Sequence, residues 1–174
     1  MSIRMMSGLP ARVLAVLQDF LPAELDLIDA EEADGITTPD ITHWYEWDRP
    51  VLPAYPACSI AIVSSIPTTV YTDGFGRTVD ATHRMDLKFH VIFSQATTSD
   101  PMTLQRLLTR YIAGAMRVLC VMKEALQTNA DPTRTVMLVT WAEAATYGPE
   151  VEQQEGALVR TAVLPIAIRQ YEVR

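Results

Sequence analysis

Leu104, Leu107, Leu108, Tyr111, Ile112, Ala115, Val118, Leu119, Met122 and Leu126 recur at three- and four-residue steps, the period of one buried helix face. Asp100 stands where its carboxylate can cap the first amides. Pro101 occupies the first helical position, where its missing N–H is not needed. The spacing predicts a long helix over about 100–127. Just before it, His83, Met85, Leu87, Phe89, Val91 and Phe93 alternate with Arg84, Asp86, Lys88 and His90. That period of two predicts a strand with one face under a helix and one face polar.

A second helical stripe, Leu9, Val13, Val16, Leu17 and Phe20, predicts a shorter N-terminal helix over Leu9–Leu21. Pro22 disfavours helical geometry in Leu21 and is expected to stop it there. The stretch 24–40 reads as an acidic connection carrying Gly35 and Pro39, with one short strand around Leu25 to Ile28. Ile41–Asp48 is rich in aromatic and β-branched residues and reads as a strand. Pro50, Pro53 and Pro56 make 49–56 an extended loop. Ala57–Ser65 is an apolar run suited to a strand buried on both faces. With Asp73-Gly74-Phe75-Gly76 as its turn, 57–95 forms a long β-hairpin, bent at Pro67. After the long helix, 127–134 is a turn, 135–144 a strand, 147–156 a polar loop, and Leu158–Tyr171 the last strand. Pro165 inside that strand favours a bulge or an edge. The fold class is therefore α+β, a single domain over 1–174 with a mostly antiparallel sheet.

Composition narrows the class. The 174 residues are 49% hydrophobic and 20% charged, ordinary for a globular chain. No apolar run approaches the roughly 20 residues that span a bilayer, so no membrane is expected. The first twenty residues lack the order of a signal peptide. Two cysteines, Cys58 and Cys120, read as buried free thiols in a reducing compartment.

Candidate chemistry is sparse. The three histidines are His43, His83 and His90; the last two, seven apart, face opposite sides of one regular strand with no Cys, Asp or Glu at ligand spacing, and a metal site needs converging ligands. No nucleophile elbow, P-loop or dinucleotide fingerprint is present. No catalytic, cofactor-binding or metal residue is assigned, and the chain reads as a non-enzyme.

Charge placement says more. The net charge is −7, and Asp19, Glu24, Asp26, Asp29, Glu31, Glu32 and Asp34 fall in one stretch without a Lys or Arg. An acidic balance disfavours ordinary nucleic-acid binding, which needs basic surface. Such a block is most often a solvated face. Arg106, Arg110 and Arg117 form a basic stripe on the polar side of the long helix. They are either solubilising side chains beside the core or one half of a contact between copies. In the second case the acidic stretch of another copy is the partner, and head-to-tail contacts of that kind close into rings.

The order of these elements resembles the tail terminator, or tail completion, proteins of long-tailed bacteriophages. The likeness rests on the helix of Pro10–Leu21 and the proline-bounded strand Pro56-Ala57-Cys58-Ser59-Ile60-Ala61-Ile62. It continues in the alternating strand Met85-Asp86-Leu87-Lys88-Phe89-His90-Val91, the Asp100-Pro101 helix with Arg110-Tyr111-Ile112 at its centre, and two closing strands. The resemblance implies a virion protein without catalysis, assembled in the host cytoplasm. Copies, commonly six, would form a homo-oligomeric ring that caps the tail tube protein and joins it to a head–neck connector. Duplex DNA would pass through without specific binding. Another phage connector, such as a head-closure or tail tube protein, and a small-molecule-binding or enzymatic bacterial α+β domain are the alternative readings.

Overall fold

A computed structural model describes residues 8–47, 52, 54–70, 82–97, 100–121, 136–141, 145–148, 151–152 and 157–172. In chain order the elements are helix α1 (Leu9–Glu32) and strands β1 (His43–Tyr45), β2 (Ala57–Val70) and β3 (Thr82–Thr97). Helix α2 (Pro101–Val121) follows, then β4 (Val136–Trp141), β5 (Thr146–Tyr147), β6 (Val151–Glu152) and β7 (Leu158–Glu172). The fold is α+β: two helices and a mixed sheet in the order β1-β2-β3-β7-β4, with β5 and β6 also pairing β7. Among the described residues only the β1/β2 pair is parallel; the other pairs are antiparallel.

The register explains why one face of the sheet takes the helices. Leu87, Phe89, Val91 and Phe93 of β3 lie opposite Ile168, Ile166, Leu164 and Ala162 of β7, and all eight are buried. Cys58 and Ile60 of β2 extend the same face across Phe93 and Val91. Onto it α2 brings Leu104, Leu108, Tyr111, Ala115 and Leu119, and α1 adds Leu9, Val13, Leu17, Leu21 and Leu25, in one continuous core. On the other face Lys88 is exposed and His90 and Ile92 are half-buried. Tyr111 stacks on Phe93 with centroids 5.7 Å apart and an interplanar angle of 16°, an offset aromatic pair joining helix to sheet. Asp100 caps α2 as its position predicts, accepting from the amides of Met102 at 3.0 Å and Thr103 at 3.2 Å.

Several expectations are corrected. α1 does not stop at Pro22: it runs through the proline to Glu32, and the strand expected at Leu25 to Ile28 is helix. An internal proline loses one helical hydrogen bond and crowds the preceding turn. Here Leu21, Leu25 and Ile28 carry the buried stripe past it, and the packing they gain against α2 outweighs that loss. The strand expected over Ile41–Asp48 shrinks to His43–Tyr45. The loop expected over 147–156 contributes β6 and the end of β5. Cys58 is buried as expected, but Cys120 is exposed.

Pro165 is not in a bulge: the β3/β7 register runs unbroken through it, opposite His90. On its other side β4 ends opposite Ile166 and β5 begins opposite Val163, and residues 142–144 between them lie outside the described residues. Ala57–Ile60 is buried throughout, whereas Ile62 and Val63 are exposed around a register shift in β2. The turn expected at Asp73–Gly76, the end of the long helix expected over 122–127, the turn expected over 127–134 and half of the proline loop (49–51 and 53) lie outside the described residues.

Candidate functional site: an arginine clamp between the helices

α1 ends at Ala33, whose φ of 48° is left-handed and whose N–H donates to the carbonyl of Asp29 at 3.1 Å. Gly35 follows at φ 78°, a conformation glycine adopts without steric penalty. Between them Asp34 accepts from the amide of Ile36 at 3.0 Å, a local turn of the kind Asp favours. These two left-handed steps turn the chain back across α2, so that residues 33–41 form a strap over its middle.

Arg110 fastens the strap. Its Nη1 donates to Asp29 Oδ1 at 2.8 Å and to the carbonyl of Ile36 at 2.7 Å, and lies 3.5 Å from Thr38 Oγ1. Its Nη2 donates to Asp34 Oδ1 at 2.6 Å. Asp29 is held in turn by the amide and hydroxyl of Thr38, both at 2.6 Å. The next residue, Tyr111, donates its hydroxyl to the carbonyl of Pro39 at 2.7 Å, and Gln95 donates to that hydroxyl at 3.4 Å. Two consecutive side chains of one helix thus hold the strap at four residues.

The electrostatics suit fastening. Burial opposes the charge on Arg110, but the carboxylates of Asp34 and Asp29 outweigh it and hold the guanidinium more firmly protonated than usual. The hydrogen bond from Arg110, followed by that from Ile36, keeps the Asp34 carboxyl below its ordinary range. Tyr111 is pushed upward by burial and by the charge of Asp40, so it remains a donor. Burial raises the Cys58 thiol well above its ordinary value, which removes it as a nucleophile. General acid–base work needs groups tuned toward the working pH; Arg110, Asp34 and Tyr111 are moved away from it. Among the described residues no three His, Cys, Asp or Glu side chains converge on a possible metal position.

The structure brings most of the singled-out residues together within one chain. The arginine stripe meets the acidic stretch of the same molecule. Arg110 pairs with Asp29 and Asp34, Arg106 lies 3.4 Å from Asp34, and Arg117 forms two bonds to Glu31 at 3.1 and 2.7 Å. Arg110 is not on a solvated face; it is 4% exposed. Its ion pairs leave it no reach toward a second copy. Arg106, Arg117, Asp26, Glu31 and Glu32 are exposed and Glu24 is half-buried. Asp26, Glu24 and Glu32 form no hydrogen bond in the clamp. Sequence reasoning missed Thr38 and the carbonyls of Ile36 and Pro39. The one available signal was Tyr111, a phenol inside an apolar stripe, whose hydroxyl needs a partner when buried.

Beside the clamp, Glu32, Asp34, Gln105, Arg106, Thr109 and Arg110 line a cleft of about 340 Å³. Ligand pockets of that size are mostly apolar, whereas every residue of this lining is polar or charged. Compared with known proteins, the chain matches no family model and no curated sequence.

Proposed function

We propose that this chain is a structural protein of a long-tailed bacteriophage, a tail terminator whose copies form a ring between the tail tube and the head–neck connector. The observation that supports this reading is the element order. A helix, the antiparallel pair β2 and β3, an Asp100-capped helix and the closing strands β4 and β7 succeed one another in the order of that family. The conspicuous polar cluster, the arginine clamp, holds elements of the chain together and performs no reaction. A strongly acidic protein also suits a channel through which DNA must slide, because negative walls repel phosphate. In this reading the outer edge of β2, the first arm of the expected long hairpin, reaches a neighbour.

Electron microscopy of the purified protein, alone and with tubes of the cognate tail, tests the proposal. Rings that cap tube ends and stop their growth are the expected outcome. A protein that stays monomeric at its highest soluble concentration and leaves tube length unchanged would overturn it.

A further inference from the structure

Both edges of the sheet are unpaired among the described residues. On one side β1 covers β2 only from Ala57 to Ser59, so the outer edge of β2 from Ile60 onward has no described partner. On the other side β4 pairs β7 alone. Open edges are templates for pairing with another chain, and proteins commonly blunt them with charged residues. Neither edge carries one. Residues 60–66 read Ile-Ala-Ile-Val-Ser-Ser-Ile and 136–141 read Val-Met-Leu-Val-Thr-Trp.

The β2 edge is also where exposed apolar side chains gather. Ile62 and Val63 are 46% and 51% exposed, and Trp47, two residues past the end of β1, is 61% exposed. The lengths fit. Pro67 limits useful pairing to 60–66, a run containing the irregularity between Ile62 and Ser64. A bulge sets two residues against one, so seven positions can match the six of β4.

Strand direction selects the occupant. From β2 to β4 the sheet passes through three antiparallel steps, β2/β3, β3/β7 and β7/β4, so β2 and β4 run oppositely. A rotational repeat about an axis along the strands preserves direction. It therefore sets β4 of one copy antiparallel to β2 of the next, as in the rest of the sheet. We infer that copies of this chain join edge to edge, β4 of each pairing with residues 60–66 of its neighbour. The contact is head-to-tail and extends one sheet around the assembly, covering the outer edges of β4 and of residues 60–66 once it closes. The inference rests on the ring reading and names its interface.

Two edge-blocked variants test it, with size measured by mass photometry and folding by circular dichroism. One carries Ile62→Lys and Val63→Lys. The other carries Thr140→Lys, at the β4 position registered with Ala167. Each is expected to be monomeric while the unaltered protein forms rings, and mixing the two should give a 1:1 dimer and nothing larger. Blocked variants that still form rings would overturn the edge contact and leave the ring reading standing. A variant that dimerises with itself would do the same, replacing the contact with a symmetric one. An unaltered protein that is monomeric throughout overturns both. Hydrogen exchange on the unaltered ring gives an answer without substitution. Outer-edge amides of 60–66 and 136–141 should be protected at least tenfold over the dissociated chain, and equal exchange refutes the contact.

Discussion

Removing the guanidinium of Arg110 leaves four acceptors behind it, on Asp29, Asp34, Ile36 and Thr38. Arg110→Met fills the space of the side chain but leaves two carboxylates facing an apolar group. Breaking a buried pair costs more than an exposed one; because both aspartates keep some solvent access, about 2–3 kcal/mol is expected. The midpoint of urea unfolding measures it, and a change below about 0.5 kcal/mol, the range of ordinary surface substitutions, would refute the clamp's structural role. Arg110→Lys should also destabilise, since an ammonium cannot reproduce the planar fork. The same residues set an acid limit. Asp34 is lowered by Arg110, Glu31 by its bond to Arg117, and Asp100 by Thr103. Groups lowered on folding add stability while the unfolded carboxylates are ionised, above about pH 4. That contribution disappears as the pH falls through the lower folded-state values. Thermal unfolding should therefore be level above about pH 5 and decline steeply below pH 4, with a shallower decline in Arg110→Met.

At the scale of elements, the meeting of α1 and α2 depends on a missing side chain. A Cβ on Gly114 would lie 2.8 Å from Leu21 Cδ1 and 3.3 Å from Leu25 Cδ2. Leu21 and Leu25 are fully buried, so they have little room to yield. Gly114→Val is expected to destabilise by about 2–3 kcal/mol through overpacking, read from the same urea midpoint; a neutral result would show that the helices separate freely. The long helix was legible because its stripe and its Asp100-Pro101 start agree with each other. Helix α1 was legible only to Pro22, since a proline's local preference is visible in sequence and the tertiary contact that overrides it is not. The short strands β5 and β6 owe their pairing to β7 and carry no pattern of their own. For the site, complementary charge was readable, but neither reading of it, a solvated stripe or a contact between copies, placed the pairing within one chain. Arg110 and Asp29 are 81 residues apart, and periodicity does not reveal which distant segments fold together.

For the whole molecule, a net charge of −7, with Arg106, Arg110 and Arg117 engaged by carboxylates, disfavours the attraction of phosphate. At physiological salt, duplex DNA should not half-saturate below about 100 µM, the weak end of non-specific binding. Submicromolar binding in a filter assay would refute the repelling-channel reading. The strap that crosses α2 bears on how the chain is made. Its anchor at Arg110 is translated 81 residues after Asp29, roughly 4–16 s later at ribosomal rates of about 5–20 residues per second. During that interval Asp29 lacks the arginine that holds it in the folded chain, and a segment carrying Glu24, Asp26, Asp29, Glu31, Glu32 and Asp34 favours hydration over collapse. The strap can therefore close only after α2 is made, when Arg106, Arg110 and Arg117 reach the carboxylates of Asp34, Asp29 and Glu31.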